Sequence, residues 1–192
     1  MDRPTAVDVG EPASINSERT DDQLHAAYVA GDQAAFEQLY LRHKGPLYRY
    51  IKGQLNHAAA DDVYQETWRK VIDNADRYVA QGKFASYLFS MAHNAVMDWH
   101  RTQQRFVDMA DDDRESAEAP DQVADTAELR EILMRALKRL PIAQRSAWIM
   151  QKESGFSHAE LAQICGTSTE GIKSRLRYAN TQLKQALERY GR

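Results

Sequence analysis

The chain has 192 residues, a net charge of −3 and a hydrophobic content of 43%. This length suffices for one medium domain or two small ones, and a chain that buries roughly 70% of its unfolded surface needs no cross-links. The single cysteine, Cys165, excludes an internal disulfide and a cysteine-rich zinc site. The longest fairly apolar run, residues 84–97, is too short and too polar to span a bilayer, and the N-terminus lacks the apolar core of a signal peptide. We therefore expect a cytoplasmic protein without membrane insertion.

Charge is distributed unevenly along the chain. Residues 1–30 and 107–126 have net charges of −4 and −7, whereas residues 31–106 and 127–192 have net charges of +2 and +6. The acidity thus lies in a tail and a linker, and both predicted folded blocks are basic. Residues 1–20 show no hydrophobic periodicity, which predicts a disordered tail. The linker, with eight acidic residues and one basic residue, is predicted to be flexible and extended.

The first predicted domain, residues 21–106, is expected to be a helical bundle because its apolar residues recur every three or four positions. Asp32 is suited to cap the second helix, and Pro46 inside that helix predicts a kink or a break. A loop, Asp73–Lys83, precedes the last helix of this domain. The predicted helices are 21–30, a segment from Asp32 to Ile51, 58–74 and 84–104.

The second predicted domain, residues 127–192, contains a helix-turn-helix pattern. Two helices ending at Pro141 and Gly155 come first. Two capping boxes then mark two further helices around a turn in which Gly166 is free to adopt a positive φ. The predicted capping boxes are Ser157 with Glu160 and Thr167 with Glu170.

The last helix has an apolar face and a polar face. In a helix-turn-helix the second helix enters the major groove of DNA, and its N-terminal residues contact base edges. Ser168, Thr169, Glu170 and Lys173 are placed for base contacts, and Lys173, Arg175 and Arg177 for phosphate contacts. The alternative is a plain helical hairpin with a solvated basic face. The predicted buried face consists of Ile172, Leu176, Ala179, Leu183 and Leu187.

A second polar face lies on the 84–104 helix. Asn94, Asp98 and Arg101 have i, i+4, i+7 spacing, and an Asn and an Asp can hydrogen-bond exposed base edges. Arg101 and Arg105 can hold phosphate. The alternative is an ordinary amphipathic helix with a wet polar face. The nearby aromatic residues on which bases could stack are Tyr78, Tyr87 and Phe89.

A third polar face lies on the 58–74 helix. Asp62, Glu66, Arg69 and Asp73 share this face, and Gln65 flanks it. A mixed-charge stripe of this kind is usually a solvated face, so partner binding is the less favoured interpretation of the spacing alone.

These segments together resemble an extracytoplasmic-function (ECF) sigma factor of the sigma-70 family. GDQAAFEQLYLRH, ADDVYQETWRKVI and FASYLFSMAHNAVMDWHR are similar to sigma region 2, and LPIAQRSAWIMQKESGFSHAELAQICGTSTEGIKSRLRYA is similar to region 4. The resemblance covers about residues 24–106 and 127–188. It implies an all-α protein with two helical domains, no enzymatic activity, no cofactor and no metal.

The resemblance also implies partners and contact residues. The partners would be the RNA polymerase core, through its beta-prime clamp coiled coil and beta flap, promoter DNA, and an anti-sigma factor that is itself a membrane protein. The loop Asp73–Lys83 would receive a flipped base. The implied core-binding residues are Asp62, Gln65, Glu66 and Arg69. The implied −10 residues are Asn94, Asp98, Arg101, Arg105, Tyr78 and Lys83. The implied −35 residues are Ser168, Thr169, Glu170, Lys173, Ser174, Arg175 and Arg177.

Two positions depart from the family pattern, and three alternatives remain open. Tyr87 stands where the family usually has Trp, and Ser168 where Pro is frequent. The first alternative is a stand-alone helix-turn-helix regulator, which would need a ligand or dimerisation domain. The second is a sigma mimic that sequesters an anti-sigma factor. The third is an enzyme, although the six histidines form no familiar metal motif and Cys165 fits a packed residue better than a nucleophile.

Overall fold

The computed structural model describes residues 19–79, 83–109 and 125–188, without the side chains of 106–109 and 125–127. Within these ranges the fold is all-α, as predicted, with eight helices, a short 3-10 turn at Ala75–Arg77 and no strands. The helices are α1 (Asp21–Val29), α2 (Gln33–Lys52), α3 (His57–Asp73), α4 (Phe84–Met109), α5 (Asp125–Arg139), α6 (Ile142–Ser154), α7 (His158–Ile164) and α8 (Thr169–Glu188).

Two predicted segments lie largely outside the described residues. Of the predicted tail 1–20, only Arg19 and Thr20 are described, and Thr20 caps α1 in a capping box with Gln23. Of the predicted linker 107–126, the ends belong to helices, because α4 continues to Met109 and α5 begins at Asp125. The predicted disorder of the tail and flexibility of the linker therefore remain predictions.

Side-chain caps fix several helix starts, and one of them differs from the prediction. The Ser157–Glu160 capping box is present at the start of α7. At the start of α8, however, the Ser168 hydroxyl accepts the Gly171 N–H at 3.0 Å. The predicted box of Thr167 with Glu170 is wrong by one residue, because α8 begins at Thr169 and Ser168 therefore occupies the N-cap position.

Helix α2 runs without a break through Pro46, so the predicted break does not occur. A proline in a helix interior removes one backbone hydrogen bond and costs about 3 kcal/mol. The turn that follows buries Leu47, Tyr50 and Ile51 completely, and each such side chain contributes about 1.5–3 kcal/mol by leaving water. Burial of these three side chains thus offsets the lost hydrogen bond.

The N-terminal domain (α1–α4) has its core between α2, α3 and α4, with α1 lying across α2. In the C-terminal domain (α5–α8), α5, α6 and α7 each pack against α8. Four of the five residues predicted for the buried face of α8 are buried, namely Ile172, Leu176, Ala179 and Leu183, whereas Leu187 in the last turn is half-buried.

The two domains contact each other directly. Helix α4 packs against α7 and α2 packs against α6, so that one continuous apolar core includes residues of both domains. No pattern in the sequence predicted this contact, because periodicity shows which face of a helix is buried but not which helix covers it.

Candidate nucleic-acid and polymerase interfaces

Helices α7 and α8 form a helix-turn-helix that leaves the predicted recognition face of α8 open. Gly166 has φ = 58°, a left-handed conformation that glycine adopts without a Cβ clash. The resulting turn reverses the chain between the two helices and buries Leu161 and Ile164 of α7 with the apolar face of α8. The exposed residues of the predicted −35 set are Ser168, Thr169, Glu170, Lys173 and Arg177.

An ion pair joins the first two turns of α8. Lys173 Nζ donates to Glu170 Oε1 at 2.7 Å, and both side chains are exposed. The hydrogen bond from Lys173 holds the pKa of Glu170 below its usual value, so this carboxylate is ionised at neutral pH. An exposed pair of this kind is worth little energy and can open easily. The helix can therefore offer both a hydrogen-bond acceptor and a cationic donor to base edges.

Beside the recognition face, a cavity of about 500 Å³ lies between α6, α7 and α8. Its lining includes polar side chains that were not among the predicted −35 contacts. Asn180 is held by a hydrogen bond from Trp148 Nε1 to its Oδ1 at 2.9 Å. Asn180 lies i+7 from Lys173, and this spacing was a usable signal in the sequence. The lining residues are Gln151, His158, Lys173, Leu176, Arg177, Asn180 and Thr181.

Arg175 lies apart from the other predicted −35 residues. Its half-buried side chain lies close to the Cys165 thiol in the turn. It also lies near His93 of the N-terminal domain, where burial first and the Arg175 charge second lower the pKa of His93 to about 4. Burial raises the pKa of Cys165 to about 11, so the thiol stays protonated at neutral pH. Ser174 is half-buried beside it, and the DNA roles of both residues remain predictions.

The predicted −10 face of α4 is exposed, and Asn94, Asp98, Arg101 and Arg105 all lie on it. Arg101 Nη2 donates to Asp98 Oδ1 at 2.7 Å. This is the same i, i+3 acid–base arrangement that Glu170 and Lys173 form on α8. Each predicted DNA face thus carries a weakly held pair that can exchange its internal hydrogen bond for one to DNA.

The predicted aromatic residues divide into two groups. Tyr78 is half-buried; its hydroxyl donates to Asp22 Oδ1 at 2.7 Å, and its ring centroid lies 4.8 Å from that of Tyr87. Phe89 is completely buried against Phe156 of the C-terminal domain, so the hypothesis that bases stack on Phe89 is wrong for this conformation. Its apolar character fits a core position equally well. Lys83 is exposed at the start of α4, next to residues 80–82, which lie outside the described part of the loop.

The side chains predicted to form the polymerase face lie together on α3, as their spacing implied. Arg69 donates to both carboxylate oxygens of Glu66 at 2.7 and 2.8 Å and to Asp73 at 3.0 Å. The hydrogen bond from Arg69 lowers the pKa of Glu66. Asp62 and Gln65 are exposed on the same helix. Arg69 therefore neutralises one end of the face and leaves Asp62 and Gln65 as its accessible polar groups.

The part of the chain that the structure describes shows neither a metal-ligand cluster nor a membrane-spanning helix. No group of three or more histidine, cysteine or acidic side chains in the described ranges is arranged to hold a metal ion. None of the helices in these ranges is long and apolar enough to cross a membrane.

A helical bundle joined to a helix-turn-helix, each with an exposed polar face, defines a two-domain DNA-binding protein of the sigma-70 type. The sigma-70 region 2 model matches residues 39–106, and the sigma-70 region 4 model matches residues 130–183. The ECF RNA polymerase sigma factor SigM of Mycobacterium tuberculosis is 31% identical over 172 residues, which are 88% of this chain and 86% of SigM. The RNA polymerase sigma factor CarQ of Myxococcus xanthus is 31% identical, over 82% of this chain and 91% of CarQ. The chain belongs to the ECF RNA polymerase sigma factors and is an alternative sigma factor, as its sequence predicted.

Solved structures show the same fold. The sigma factor RpoE of Bartonella quintana, in complex with the anti-sigma factor NepR, superposes with a TM-score of 0.69. It is 29% identical, and the match covers 80% of this chain and 96% of RpoE. The structure of CnrH in complex with the cytosolic domain of CnrY has a TM-score of 0.65 at 23% identity and covers 88% of this chain and 97% of that one.

Proposed function

We propose that this sigma factor binds core RNA polymerase through α3, reads the −35 promoter element with α8 and reads the −10 element with α4. The observation that carries the proposal is the exposed row of Thr169, Glu170, Lys173 and Arg177 on the second helix of a helix-turn-helix. Donors and acceptors at this position reach base edges when the helix enters the major groove. We further propose domains at 21–106 and 127–192, with the acidic segment 107–126 as their connection.

Asp62, Gln65, Glu66 and Arg69 would contact the clamp coiled coil of the polymerase beta-prime subunit. Asn94 and Asp98 would hydrogen-bond −10 bases, and Arg101 and Arg105 the adjacent phosphates. Capturing unstacked −10 bases would help to open the duplex, at a cost of a few kcal/mol per flipped base. Each mismatched base pair in a promoter would reduce binding by about 1–3 kcal/mol.

The chain's own residues would perform no chemistry on nucleotides, and the protein would act in the cytoplasm, where polymerase and chromosome meet. An anti-sigma factor is proposed as a further partner, because RpoE was solved in complex with NepR. A stand-alone helix-turn-helix regulator is the second candidate function, since α7 and α8 alone could bind DNA. The two differ in whether sequence-specific binding requires core polymerase.

In vitro transcription on a promoter library tests the proposal. Purified bacterial core polymerase should produce new transcripts sharing one −35/−10 pair only when this protein is added. Asp62→Arg should abolish them by placing a cation on the polymerase face, and Lys173→Glu by reversing the charge on the −35 face. Lys184→Glu is the matched control, because Lys184 is also an exposed cation of α8 but lies three turns further along the helix.

Three results would argue against the proposal. Full activity of Asp62→Arg would mean that α3 does not form the polymerase interface. Equal loss from Lys173→Glu and Lys184→Glu would mean that the charge of α8 matters but not the predicted base-reading position. Promoter binding without core polymerase would favour the stand-alone regulator.

A further inference from the structure

Helix α1 contacts a pair of tyrosines at the N-terminal end of α4. The rings of Tyr78 and Tyr87 pack on each other with centroids 4.8 Å apart, and both side chains are half-buried. The hydroxyl of Tyr78 donates to Asp22 Oδ1 of α1 at 2.7 Å. His25, three residues further along α1, meets the Tyr78 ring edge to face with centroids 4.7 Å apart. Helix α1 therefore fixes Tyr78 at its hydroxyl and at its ring.

Tyr78 lies inside an aromatic cluster, and Tyr87 lies on the DNA side of it. Phe84 also meets the Tyr78 ring edge to face, with centroids 5.7 Å apart, so three rings pack on Tyr78. Tyr87 is seven residues before Asn94, and this spacing places both residues on one face of α4. The ring that an unstacked −10 base can reach is therefore that of Tyr87, with Tyr78 behind it.

Helix α1 is itself attached to α2. Arg42 Nη1 donates to Asp21 Oδ1 at 2.9 Å, and His43 Nε2 lies 2.7 Å from Asp21 Oδ2. These contacts are partly buried, so water screens them less than it screens a surface ion pair. The two neighbouring carboxylates of α1 thus have different partners: Asp21 binds α2, and Asp22 binds Tyr78. Through this pair α1 links Tyr78 to the body of the domain.

His25 occupies a position where its ring loses a hydrogen bond. It is 4% exposed, and its Nε2 is buried without a hydrogen-bond partner in the described part of the chain. Burial lowers the pKa of His25, so the ring is neutral at neutral pH. A buried nitrogen without a partner opposes folding. In return, His25 gains contacts with the rings of Tyr78 and Phe84.

We propose that Asp22 and His25 are positioning residues for −10 recognition: by fixing Tyr78 they hold the ring of Tyr87 where an unstacked base stacks on it. This role rests on the proposed function, because α4 must read the −10 element. A ring that is already held in place loses less conformational freedom when a base stacks on it. Asp22 acts through Tyr78 and not on the strand, since a carboxylate repels phosphate.

Removal of single groups tests the support. Tyr78→Phe deletes the donor to Asp22 and keeps the ring. Tyr28→Phe is the matched control, because it deletes the hydroxyl of another half-buried tyrosine, one that packs on Phe36. Asp22→Ala removes the acceptor, whereas Asp22→Asn keeps an oxygen there without the charge. His25→Leu removes the ring edge and keeps an apolar side chain. Circular dichroism verifies that each variant retains its helices.

Binding of single-stranded DNA by the complex of core polymerase and the full chain measures base capture. The probe is the short strand that the unmodified complex selects from a random-sequence pool, and core polymerase alone is the blank. We expect Tyr78→Phe to bind this strand about tenfold more weakly than Tyr28→Phe, a change of about 1.4 kcal/mol. Asp22→Ala and His25→Leu should also bind it more weakly, and Asp22→Asn should recover most of the loss. Random-sequence duplex, which presents no unstacked base, should bind equally to Tyr78→Phe and Tyr28→Phe.

A Tyr87→Ala background shows whether Tyr78 acts through Tyr87. We expect no further loss of strand affinity from Tyr78→Phe in this background, because the ring that Tyr78 positions is gone. A second tenfold loss there would mean that Tyr78 contacts the base itself and would overturn the positioning role.

Two other results would also contradict the inference. Equal strand affinities of Tyr78→Phe and Tyr28→Phe, with a strand selected by the unmodified complex, would overturn the support by Asp22 and leave the proposed function intact. Unchanged affinity of His25→Leu would restrict the role to Asp22. Selection of no strand by the unmodified complex would contradict the proposed −10 function, and the positioning role would fall with it.

Discussion

His93 shows how a single buried side chain couples the stability of this protein to pH. Its Nδ1 lies 2.9 Å from the Tyr50 hydroxyl, in the core of the N-terminal domain and close to Arg175 of the C-terminal domain. Burial, together with the nearby Arg175, disfavours the charged imidazolium and lowers the pKa of His93 to about 4. His25 and His100 are shifted in the same direction, also chiefly by burial.

We expect the free energy of unfolding to decrease as the pH falls below about 6.5, the ordinary pKa of an unfolded histidine. The folded state binds the proton only near pH 4, so the unfolded state gains it first and stability is lost between these values. The loss attributable to His93 would be at most about 3 kcal/mol, at 1.36 kcal/mol per pKa unit. Urea unfolding at pH 7 and pH 5 checks this, with His93→Gln as a variant that cannot titrate. Equal decreases in the free energy of unfolding of the two proteins would show that His93 is not the cause.

At the scale of helices, termini decide where the recognition face begins. Ser157 caps α7 and Ser168 caps α8, and between them Gly166 reverses the chain. Because α8 begins at Thr169, Thr169, Glu170 and Lys173 stand in its first two turns. Moving the cap by one residue would rotate every following side chain by about 100° on the helix surface.

Ser168→Ala should therefore reduce the free energy of unfolding by about 1 kcal/mol, the usual cost of removing a helix N-cap. Thr167→Ala should cost less, because the Gly171 N–H bonds to Ser168. Urea denaturation followed by circular dichroism measures both variants. A larger loss from Thr167→Ala would mean that the capping box predicted from the sequence, and not the observed cap, starts the helix.

At the scale of the whole molecule, one apolar core extends across two domains. Phe89 and Phe156 meet within that core, so unfolding either domain exposes apolar surface of the other. A shared core of this kind makes the unfolding of two domains cooperative.

We expect the unmodified chain to unfold in a single thermal transition and Gly53→Leu to unfold in two. A Cβ at position 53 would lie 2.6 Å from Ile149 Cδ1 of the C-terminal domain, so the leucine side chain should separate the domains without removing the core of either. Differential scanning calorimetry distinguishes these outcomes, and Gln33→Glu, a substitution at an exposed position of α2, should retain the single transition. Two transitions in the unmodified chain would mean that the contact between the domains contributes little to their stability.

The sequence alone determined the class of this protein. Apolar periodicity predicted the helices, capping residues and glycines placed the helix-turn-helix, and the outward positions of α8 followed from its buried face. The exposed positions of Asp62, Asn94 and Lys173 could be predicted in this way because each depends only on the helix that carries it. The family, too, could be recognised from segments that are local in the chain.

Only the tertiary structure decided what those faces meet. Phe89 was grouped with base-stacking aromatics and Arg175 with the −35 contacts, yet both lie at the domain contact. Arg145 gave no signal, since nothing near it in the chain marks a cation bonded to Gln54, 91 residues away. The physical reason is that hydrophobic burial has no direction: a periodic apolar stripe must be covered, but any matching surface can cover it. Which surface does so depends on the shape and polarity of both partners, and these meet only in the folded chain.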